Sequence, residues 1–417
     1  MTGKIHMADA QAEYYLSLEH SLSRRNRRAN LVLLVLGGAL LLVMGLFLCL
    51  LPQRDFSPEE NRSLAAAPKI SMPTMLDGSL STGIADFCAD QFPLRSLFIS
   101  AKARAELLLG KMENNDVLLG KDGYLITRQE YDATQRTILY QNMAAVDRFA
   151  TALKAKNIPF TFAVVPRSID VNRNKLPPLY NTVNADAASI LLDQSAKQKN
   201  LPWINLTDIL QRAAATGDAV WYKTDHHWTM QGAYLAYVAL SEALGYIPYP
   251  ADAFSQQVVC ENFLGTTHAS SGMRWVKGED IILWRYEDDE SFTTEIMEGG
   301  KTIRTLNGFY DLAALETHDE YNVFLGGTNT LIRITLSTRE NAPTLILLKD
   351  SFSQSLAPYL ARHFDLLLID MRSYDIRSSG SLSALIEHEQ ADHVLLLYGI
   401  DTLYDSYSLK NLTFGLN

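Results

Sequence analysis

One stretch constrains the fold of this chain more than any other. Residues 31–51 read LVLLVLGGALLLVMGLFLCLL and contain no charged side chain. An α-helix needs about 20 apolar residues to cross a hydrocarbon core of about 30 Å. Because backbone groups in lipid must satisfy their own hydrogen bonds, the stretch predicts a single transmembrane helix near the N-terminus.

The charges on either side of this helix predict its orientation. Four arginines lie within residues 24–28, just before the apolar stretch, whereas Asp55, Glu59 and Glu60 follow it. The positive-inside rule then predicts a cytoplasmic tail over residues 1–30 and an extracytoplasmic location for the chain beyond residue 51. We therefore expect a single-pass protein of the cell membrane.

Two other kinds of N-terminal signal also contain an apolar stretch. A cleaved signal peptide has a shorter apolar core with small residues just after it. Here the core is longer, and the three alanines at 65–67 lie well past it. A lipoprotein anchor at Cys49 is disfavoured, because Leu48 rather than a small residue precedes it and Cys49 lies inside the apolar stretch.

The net charge of the chain limits which kinds of polymer it could bind. The chain carries −10 overall, and residues 1–30 carry five positive and three negative charges, which leaves about −12 for the rest. This balance argues against nucleic acid but not against a neutral sugar polymer. Beyond the membrane only Cys88 and Cys260 remain. They could pair in an oxidising compartment, although one bridge does not make a disulfide scaffold.

The remainder of the chain divides by its patterning. Residues 52–115 predict a proline- and charge-rich linker followed by an amphipathic, juxtamembrane helical segment. Residues 116–417 contain short apolar runs, at 158–165, 203–206, 344–348, 364–369 and 392–398, separated by helical stretches. Such a rhythm predicts an α/β domain with a parallel sheet flanked by helices. Residues from about 250 to 340 lack this alternation of apolar runs and helical stretches, and they predict an insertion with some antiparallel strand.

The first candidate site is the segment Asp225-His226-His227-Trp228, which precedes a helix predicted over residues 229–244. In an extended loop, residues two apart point to the same side, so Asp225 could orient the imidazole of His227 as in a catalytic triad. Two alternatives stay open. Asp225 could cap the turn while the histidines pack, or the three side chains could bind a metal, for which adjacent histidines would point apart.

The second candidate site is Ser351, between an apolar strand ending at Lys349 and a predicted helix. A serine in this position lies at the edge of a parallel sheet where ligands bind. The free N–H groups of the helix there could stabilise an oxyanion. The alternative is that Asp350 or Ser351 only caps the helix. The presence of Asp-x-His in the same chain favours a nucleophile.

These residues resemble the SGNH-hydrolase-like acyl-handling domains, and more narrowly the DHHW family, whose name spells residues 225–228. Further blocks that resemble the family lie at 56–65, 90–95, 117–125, 349–352 and 368–374. The family is similar to the alginate O-acetyltransferase proteins. Those proteins are SGNH-like but circularly permuted, with Asp-x-His before the serine, as in this chain.

The resemblance implies roles for individual residues. Asp225 would orient, His227 would act as the base and Ser351 as the nucleophile. His226, Trp228 and Arg167, which follows a predicted strand, are candidate substrate-binding or supporting residues. Lys349 replaces the glycine of the Gly-Asp-Ser motif. The implied chemistry requires neither a metal nor an organic cofactor.

The function implied is a membrane-anchored acyl, most simply acetyl, transferase or esterase. Its substrate would be hydroxyls of a cell-surface polysaccharide, and a polytopic membrane-bound acyltransferase would be the partner that supplies the acetyl group. The alternative is a non-catalytic glycan-binding or assembly protein of a polysaccharide export or modification complex. An intact Ser-His-Asp set argues against that alternative. Transfer and hydrolysis use the same residues, so both remain open.

Overall fold

The computed structural model describes residues 26–27, 29–48, 50–375 and 380–413. Within them the chain forms two compact units, the first up to residue 57 together with residues 62–98, and the second residues 58–61 together with the chain from residue 99 onward. The helices are α1 (Ala29–Leu48), α2 (Met72–Leu76), α3 (Ser79–Asp90), α4 (Arg95–Leu108), α5 (Ala133–Ala155), α6 (Ser168–Val171), α7 (Val183–Gln198), α8 (Thr207–Thr216), α9 (Met230–Leu244), α10 (Thr266–Ser271), α11 (Ser353–Leu360), α12 (Leu382–His388) and α13 (Ile400–Asp405).

The first unit contains the predicted membrane segment. Helix α1 has 20 residues and a mean hydropathy of 2.9, with none of its residues buried, so it is long and apolar enough to cross a membrane. The linker predicted at the start of residues 52–115 contains regular structure. It forms two short paired strands, β1 (Phe56–Ser57) and β2 (Arg62–Ser63), and the helix α2. Arg62 fixes this segment to α3 through a two-pronged ion pair with Asp90, at 2.9 and 2.5 Å.

The second unit is an α/β fold around a mixed eight-stranded sheet. The strands are β3 (Glu113–Asn114), β4 (Val117–Leu119), β5 (Leu125–Thr127), β6 (Phe160–Val165), β7 (Trp203–Asn205), β8 (Ser255–Phe263), β9 (Glu279–Arg285), β10 (Phe292–Glu298), β11 (Lys301–Asn307), β12 (Leu331–Leu336), β13 (Thr344–Lys349), β14 (Asp365–Asp370) and β15 (His393–Gly399). The order in the main sheet is β11-β10-β12-β14-β13-β15-β6-β7.

The five strands from β14 to β7 run parallel, as predicted, while β12, β10 and β11 add antiparallel to the β14 edge. The region predicted as an insertion therefore extends the same sheet. Its strands β8 and β9 pair separately as an antiparallel hairpin. The alternating side chains of β12 explain its weak sequence signal, since it lacks the continuous apolar run of the parallel strands.

Both faces of the sheet are covered, which explains why the parallel strands are continuously apolar. Leu345 and Leu347 of β13 pack into a core with α8, α9 and α11 on one face. Ile346 and Leu348 pack into a second core with α5, α7, α12 and α13 on the other face. Cys88 in α3 and Cys260 in β8 are free thiols.

The topology decides where functional side chains can meet. Strands β13, β15 and β6 are parallel neighbours, with Lys349 opposite Leu397 and Gly399 opposite Val165. Their carboxyl ends therefore lie side by side at one edge of the sheet, the edge at which open α/β folds bind ligands.

Candidate active site

The segment from Asp225 to Trp228 forms a tight loop between α8 and α9. Trp221 and Trp228 pair as an isolated antiparallel bridge, and the N–H of Tyr222 donates to the carbonyl of His227 at 3.2 Å. Helix α9 follows, with Thr229 as its N-cap and Gly245 in a left-handed conformation at its C-terminal end, as the sequence predicted. The loop is thus a hairpin-like turn rather than an extended strand.

Ser351 stands between β13 and α11, at the sheet edge where it was expected. The buried carboxylate of Asp350 fixes the turn by accepting the N–H of Phe352 at 3.1 Å, the N–H of Gly399 at 2.6 Å and the hydroxyl of Thr402 at 3.0 Å. The side chain of Asp350 therefore bonds outside α11, and neither Asp350 nor Ser351 caps that helix with its side chain.

Lys349, which stands where the Gly-Asp-Ser motif has glycine, is fully buried. Its ammonium lies 3.8 Å from Asp370 on the neighbouring strand β14. Burial lowers the pKa of Lys349 to about 8. The side chain is thus accommodated between two strands of the sheet.

The two candidate segments meet through a continuous hydrogen-bonded chain. The Oγ of Ser351 lies 2.8 Å from Nε2 of His227, and Nδ1 of His227 lies 2.6 Å from Oδ1 of Asp225. Both distances are within the range at which a base can take up a proton directly. Tyr321 stacks parallel on the imidazole of His227, with ring centroids 4.0 Å apart and an angle of 6° between the planes.

Asp225 is buried, and both oxygens of its carboxylate accept hydrogen bonds. Its Oδ1 also accepts the N–H of His227 at 3.0 Å, while its Oδ2 accepts the N–H and the hydroxyl of Thr266 at 2.8 and 2.9 Å. Burial alone would raise the pKa of Asp225. The imidazoles of His226 and His227 and these hydrogen bonds outweigh it and hold the pKa below its ordinary value. The carboxylate is therefore ionised at neutral pH, as an imidazolium-stabilising group must be.

His226 is placed differently from the prediction. The adjacent imidazoles of His226 and His227 do not point apart, because the tight turn brings their centroids to 3.8 Å. Nδ1 of His226 lies 2.6 Å from the hydroxyl of Thr266 and 3.7 Å from Oδ1 of Asp225. The expectation that His226 faces away from Asp225 was thus wrong, since it assumed an extended chain.

The other two supporting candidates have separate positions. Trp228 is fully buried, and its indole N–H donates to the carbonyl of Phe352 at 3.1 Å and to Ser355 at 2.8 Å. It ties the histidine loop to the serine loop and has no surface for substrate. Arg167 lies just beyond β6, buried against Asp170, and lines the same cleft as Asp225 and His226.

Three acidic or imidazole groups in this site are close enough to share a cation. The ligand atoms of Asp225, His226 and His227 lie within 4.8 Å of one another. Both oxygens of Asp225, however, already accept two hydrogen bonds each, and Nε2 of His227 faces Ser351. The arrangement fits proton transfer better than metal binding, because a metal would displace these bonds.

Several residues that shape the site were not predicted from the sequence. Glu279 accepts the N–H groups of Lys223 and Thr224 at 2.5 and 2.8 Å and so holds the start of the loop, and burial raises the pKa of Glu279 to about 7. Gly265 is needed because a Cβ there would lie 2.3 Å from Asp225. A glycine followed by two threonines at the start of a short helix could have suggested Thr266, whereas Tyr321 has no local signal.

Comparisons with known proteins agree with this geometry. Residues 117–275 match the family model described as the SGNH hydrolase-like domain of the acetyltransferase AlgX. This match includes Arg167, Asp225–Trp228 and Thr266 but ends before Ser351.

Curated relatives match a smaller part of their own length. A probable alginate O-acetylase AlgJ from Pseudomonas putida is 26% identical over 182 residues, 41% of this chain and 45% of the relative. A protein of the same name from Pseudomonas syringae pv. tomato is 28% identical over 177 residues, 41% of this chain and 44% of the relative. The chain thus aligns with less than half the length of these relatives.

Solved structures share the fold more completely. A DHHW family protein from Eubacterium siraeum superposes with a TM-score of 0.59 at 18% identity, covering 73% of this chain and 96% of that chain. Bacillus cereus PatB1 superposes with a TM-score of 0.57 at 21% identity, covering 70% and 98%. The predicted likeness to SGNH-like, alginate O-acetyltransferase-type proteins and the predicted fold class are thereby confirmed.

Proposed function

We propose that this chain is an acyltransferase or esterase that moves an acyl group, most simply acetyl, on or off the hydroxyls of a polysaccharide, with Ser351, His227 and Asp225 as its catalytic triad. The observation that carries the proposal is the hydrogen-bonded chain from the Ser351 hydroxyl through both nitrogens of His227 to the Asp225 carboxylate. The likeness to proteins named as alginate O-acetylases supports an O-acetyl substrate on a polysaccharide.

Each member of the proposed triad has its own role in this reaction. Nε2 of His227 takes the proton of Ser351 as its Oγ attacks the carbonyl carbon of an acyl ester. The proton then passes from His227 to the departing alcohol, which leaves an acyl group on Ser351. In the second half of the reaction, His227 takes the proton of a sugar hydroxyl or water, and the oxygen of that acceptor attacks the acyl carbon. The bond between the acyl group and Oγ of Ser351 breaks, and Ser351 recovers its proton from His227.

The surrounding residues determine when these steps are favourable. The ionised carboxylate of Asp225 stabilises the imidazolium that exists while His227 holds the proton, and its bond to Nδ1 keeps Nε2 free to accept. Ser351 precedes α11, so the negative charge that develops on the carbonyl oxygen would lie near the N-terminal end of that helix.

The apolar helix α1 supports a location at the membrane surface. With residues 1–30 in the cytoplasm, the second unit would face an extracytoplasmic polysaccharide. Acetyl groups for transfer would then have to cross the membrane, and a polytopic membrane-bound acyltransferase is the class of partner that could deliver them. Ser351 would receive the group on the outer side and so become the acyl-Ser351 intermediate.

A serine-directed fluorophosphonate probe and a nitrophenyl acetate assay on the full-length protein in detergent test the proposal. We expect probe labelling and slow ester hydrolysis, both abolished in Ser351→Ala and strongly reduced in His227→Ala. Because the triad acts as one unit, the double variant should be no slower than Ser351→Ala alone. Ser255→Ala, an exposed serine on β8, serves as the matched control and should keep both signals.

His226→Ala separates a triad from a metal site. Loss of activity equal to that of His227→Ala, with recovery on addition of zinc, would favour metal chemistry at Asp225, His226 and His227. Wild-type protein that neither reacts with the probe nor turns over the ester would contradict the proposal. It would favour a non-catalytic glycan-binding protein instead.

A further inference from the structure

Three loops meet at the carboxyl edge of the sheet, and two of them have no part in the triad. Ser351 follows β13, Asp401 follows β15 and Arg167 follows β6, and these strands are parallel neighbours. Arg167 and Asp401 line a narrow cleft together with Asp225, His226 and Phe352, the residue after the proposed nucleophile. The cleft is small, with a volume of about 30 Å³, which is room for about two water-sized groups such as sugar hydroxyls.

Arg167 offers this cleft an unused donor. Its Nε and Nη2 donate to the carboxylate of Asp170 at 2.8 and 3.0 Å, and Nη2 also donates to the carbonyl of Ala185 at 2.8 Å. Its Nη1 is buried and has no hydrogen-bond partner among the described residues. A buried donor without a partner is rare and calls for an explanation, such as a ligand that supplies the acceptor.

Asp401 offers an acceptor beside it. The hydroxyl of Tyr131 donates to Oδ1 of Asp401, and the guanidinium of Arg167 lies 5.5 Å above the ring of the same tyrosine. Tyr131 itself is held by stacking on Tyr404, with centroids 3.9 Å apart. Oδ2 of Asp401 has no hydrogen bond within the part of the chain that the structure describes, so it can accept one from a ligand.

The hydrogen-bonding atoms of Arg167 and Asp401 favour a hydroxyl over a carboxylate as the group bound. A sugar hydroxyl can accept from Nη1 of Arg167 and donate to Oδ2 of Asp401, whereas a carboxylate can only accept. Arg167 interacts with both Asp170 and Asp401, so the three side chains together carry one net negative charge. A uronate entering the cleft would therefore meet a carboxylate of its own sign, on a chain that is already acidic overall.

We propose that Arg167 and Asp401 form an acceptor subsite that holds hydroxyls of a neutral pyranose beside Ser351, and that this subsite disfavours uronate polymers. The inference rests on the proposed acyl-transfer function and specifies its substrate class. Burial raises the pKa of Asp401 to about 6, so the group is mainly ionised at neutral pH and suited to accept a hydroxyl hydrogen.

A pair of acceptors that differ only in charge tests the proposal. A galacturonate oligomer and its methyl ester present the same ring hydroxyls, but only the free acid carries negative charge. The full-length protein in detergent is given an activated acetyl ester with either acceptor, and acetylated oligomer is measured by mass spectrometry. We expect transfer to the methyl ester to exceed transfer to the free acid by about tenfold, from repulsion by Asp401.

The variant Asp401→Asn keeps the shape of the side chain and removes its charge. It should lower transfer to the methyl ester and bring the ratio between the two acceptors close to one. Asp193→Asn, on the surface of α7, is the matched control and should keep the wild-type ratio. Arg167→Lys should lower transfer to the methyl ester, and if it fails to fold, Asp401→Asn still decides the question.

The outcomes separate this inference from the proposed function. Release of nitrophenol that depends on Ser351, together with equal use of both acceptors or a preference for the free acid, would overturn the neutral subsite alone. A wild-type ratio in Asp401→Asn would do the same. Absence of any Ser351-dependent release would overturn the proposed function itself.

Discussion

Replacing Asp225 by asparagine removes one negative charge while leaving the shape of the side chain unchanged. In the wild-type protein one carboxylate oxygen accepts two hydrogen bonds from His227, and the other accepts two from Thr266. An asparagine has one acceptor oxygen and one donor group. Whichever way the amide is turned, its NH2 group faces a backbone N–H, either that of His227 or that of Thr266.

The loss of activity in Asp225→Asn follows from the attraction between the Asp225 carboxylate and the protonated imidazole of His227. A carboxylate and an imidazolium about 4 Å apart attract each other by about 4 kcal/mol at an effective dielectric constant of about 20. Each loss of about 1.4 kcal/mol in transition-state stabilisation is tenfold in rate, so kcat/KM should fall about a thousandfold. The opposed donors should also destabilise the fold by about 1–3 kcal/mol.

The assay is nitrophenyl acetate hydrolysis by the wild-type protein, Asp225→Asn, Asp225→Ala and the surface control Asp193→Asn, with thermal unfolding of each. Asp225→Ala loses the charge and all four hydrogen bonds, so its activity should fall similarly and its stability should fall at least as much as that of Asp225→Asn. A folded Asp225→Asn protein within tenfold of the wild-type rate would refute the assignment of Asp225 as the group that stabilises the imidazolium.

Three further predictions concern packing, pH and topology. Gly265→Ala would bring a methyl group 2.3 Å from Asp225. It should destabilise the fold by about 1–3 kcal/mol and slow ester hydrolysis about a hundredfold; a wild-type rate would show that the loop yields freely. Burial lowers the pKa of Lys349 from 10.5 to about 8. The unfolded chain therefore binds more protons between these values, and the folded protein loses stability as the pH falls from about 10 to about 8. Asp370 keeps its ion pair with Arg372 when Lys349 is removed. Lys349→Met should therefore raise the Tm at neutral pH, by the equivalent of about 1–4 kcal/mol, and the gain should shrink toward about pH 10; a gain independent of pH would contradict this. A reporter enzyme fused after Asn417 should be active only outside the cytoplasm, and cytoplasmic activity would contradict the predicted topology.

The parts of the fold that could be predicted are those with a strong local signal. Strands β6, β13, β14 and β15 are buried on both faces, so each reads as a continuous apolar run, and helix α9 carries both a threonine cap and a terminal glycine. The antiparallel strands β10 to β12 alternate or are largely exposed, and their pairing onto β14 depends on long-range packing that no local pattern encodes.

The same contrast holds for the site. Asp225, His227 and Ser351 could be named because each has a short motif and a place in the predicted order of strands. The turn that folds His226 back toward Asp225 could not, because it depends on the bridge between Trp221 and Trp228. Contacts from distant segments, such as the stacking of Tyr321 on His227, arise only once the antiparallel region is folded against the sheet.

The central claim is that Ser351 carries the acyl group between donor and acceptor. Its most direct test is to quench the full-length protein during reaction with an activated acetyl ester and to map acetylation by peptide mass spectrometry. We expect one acetyl group on the peptide that contains Ser351, its absence in Ser351→Ala, and its decay when a glycan acceptor is added. Ester turnover without acetylated Ser351, or with the acetyl group on a different residue, would contradict it.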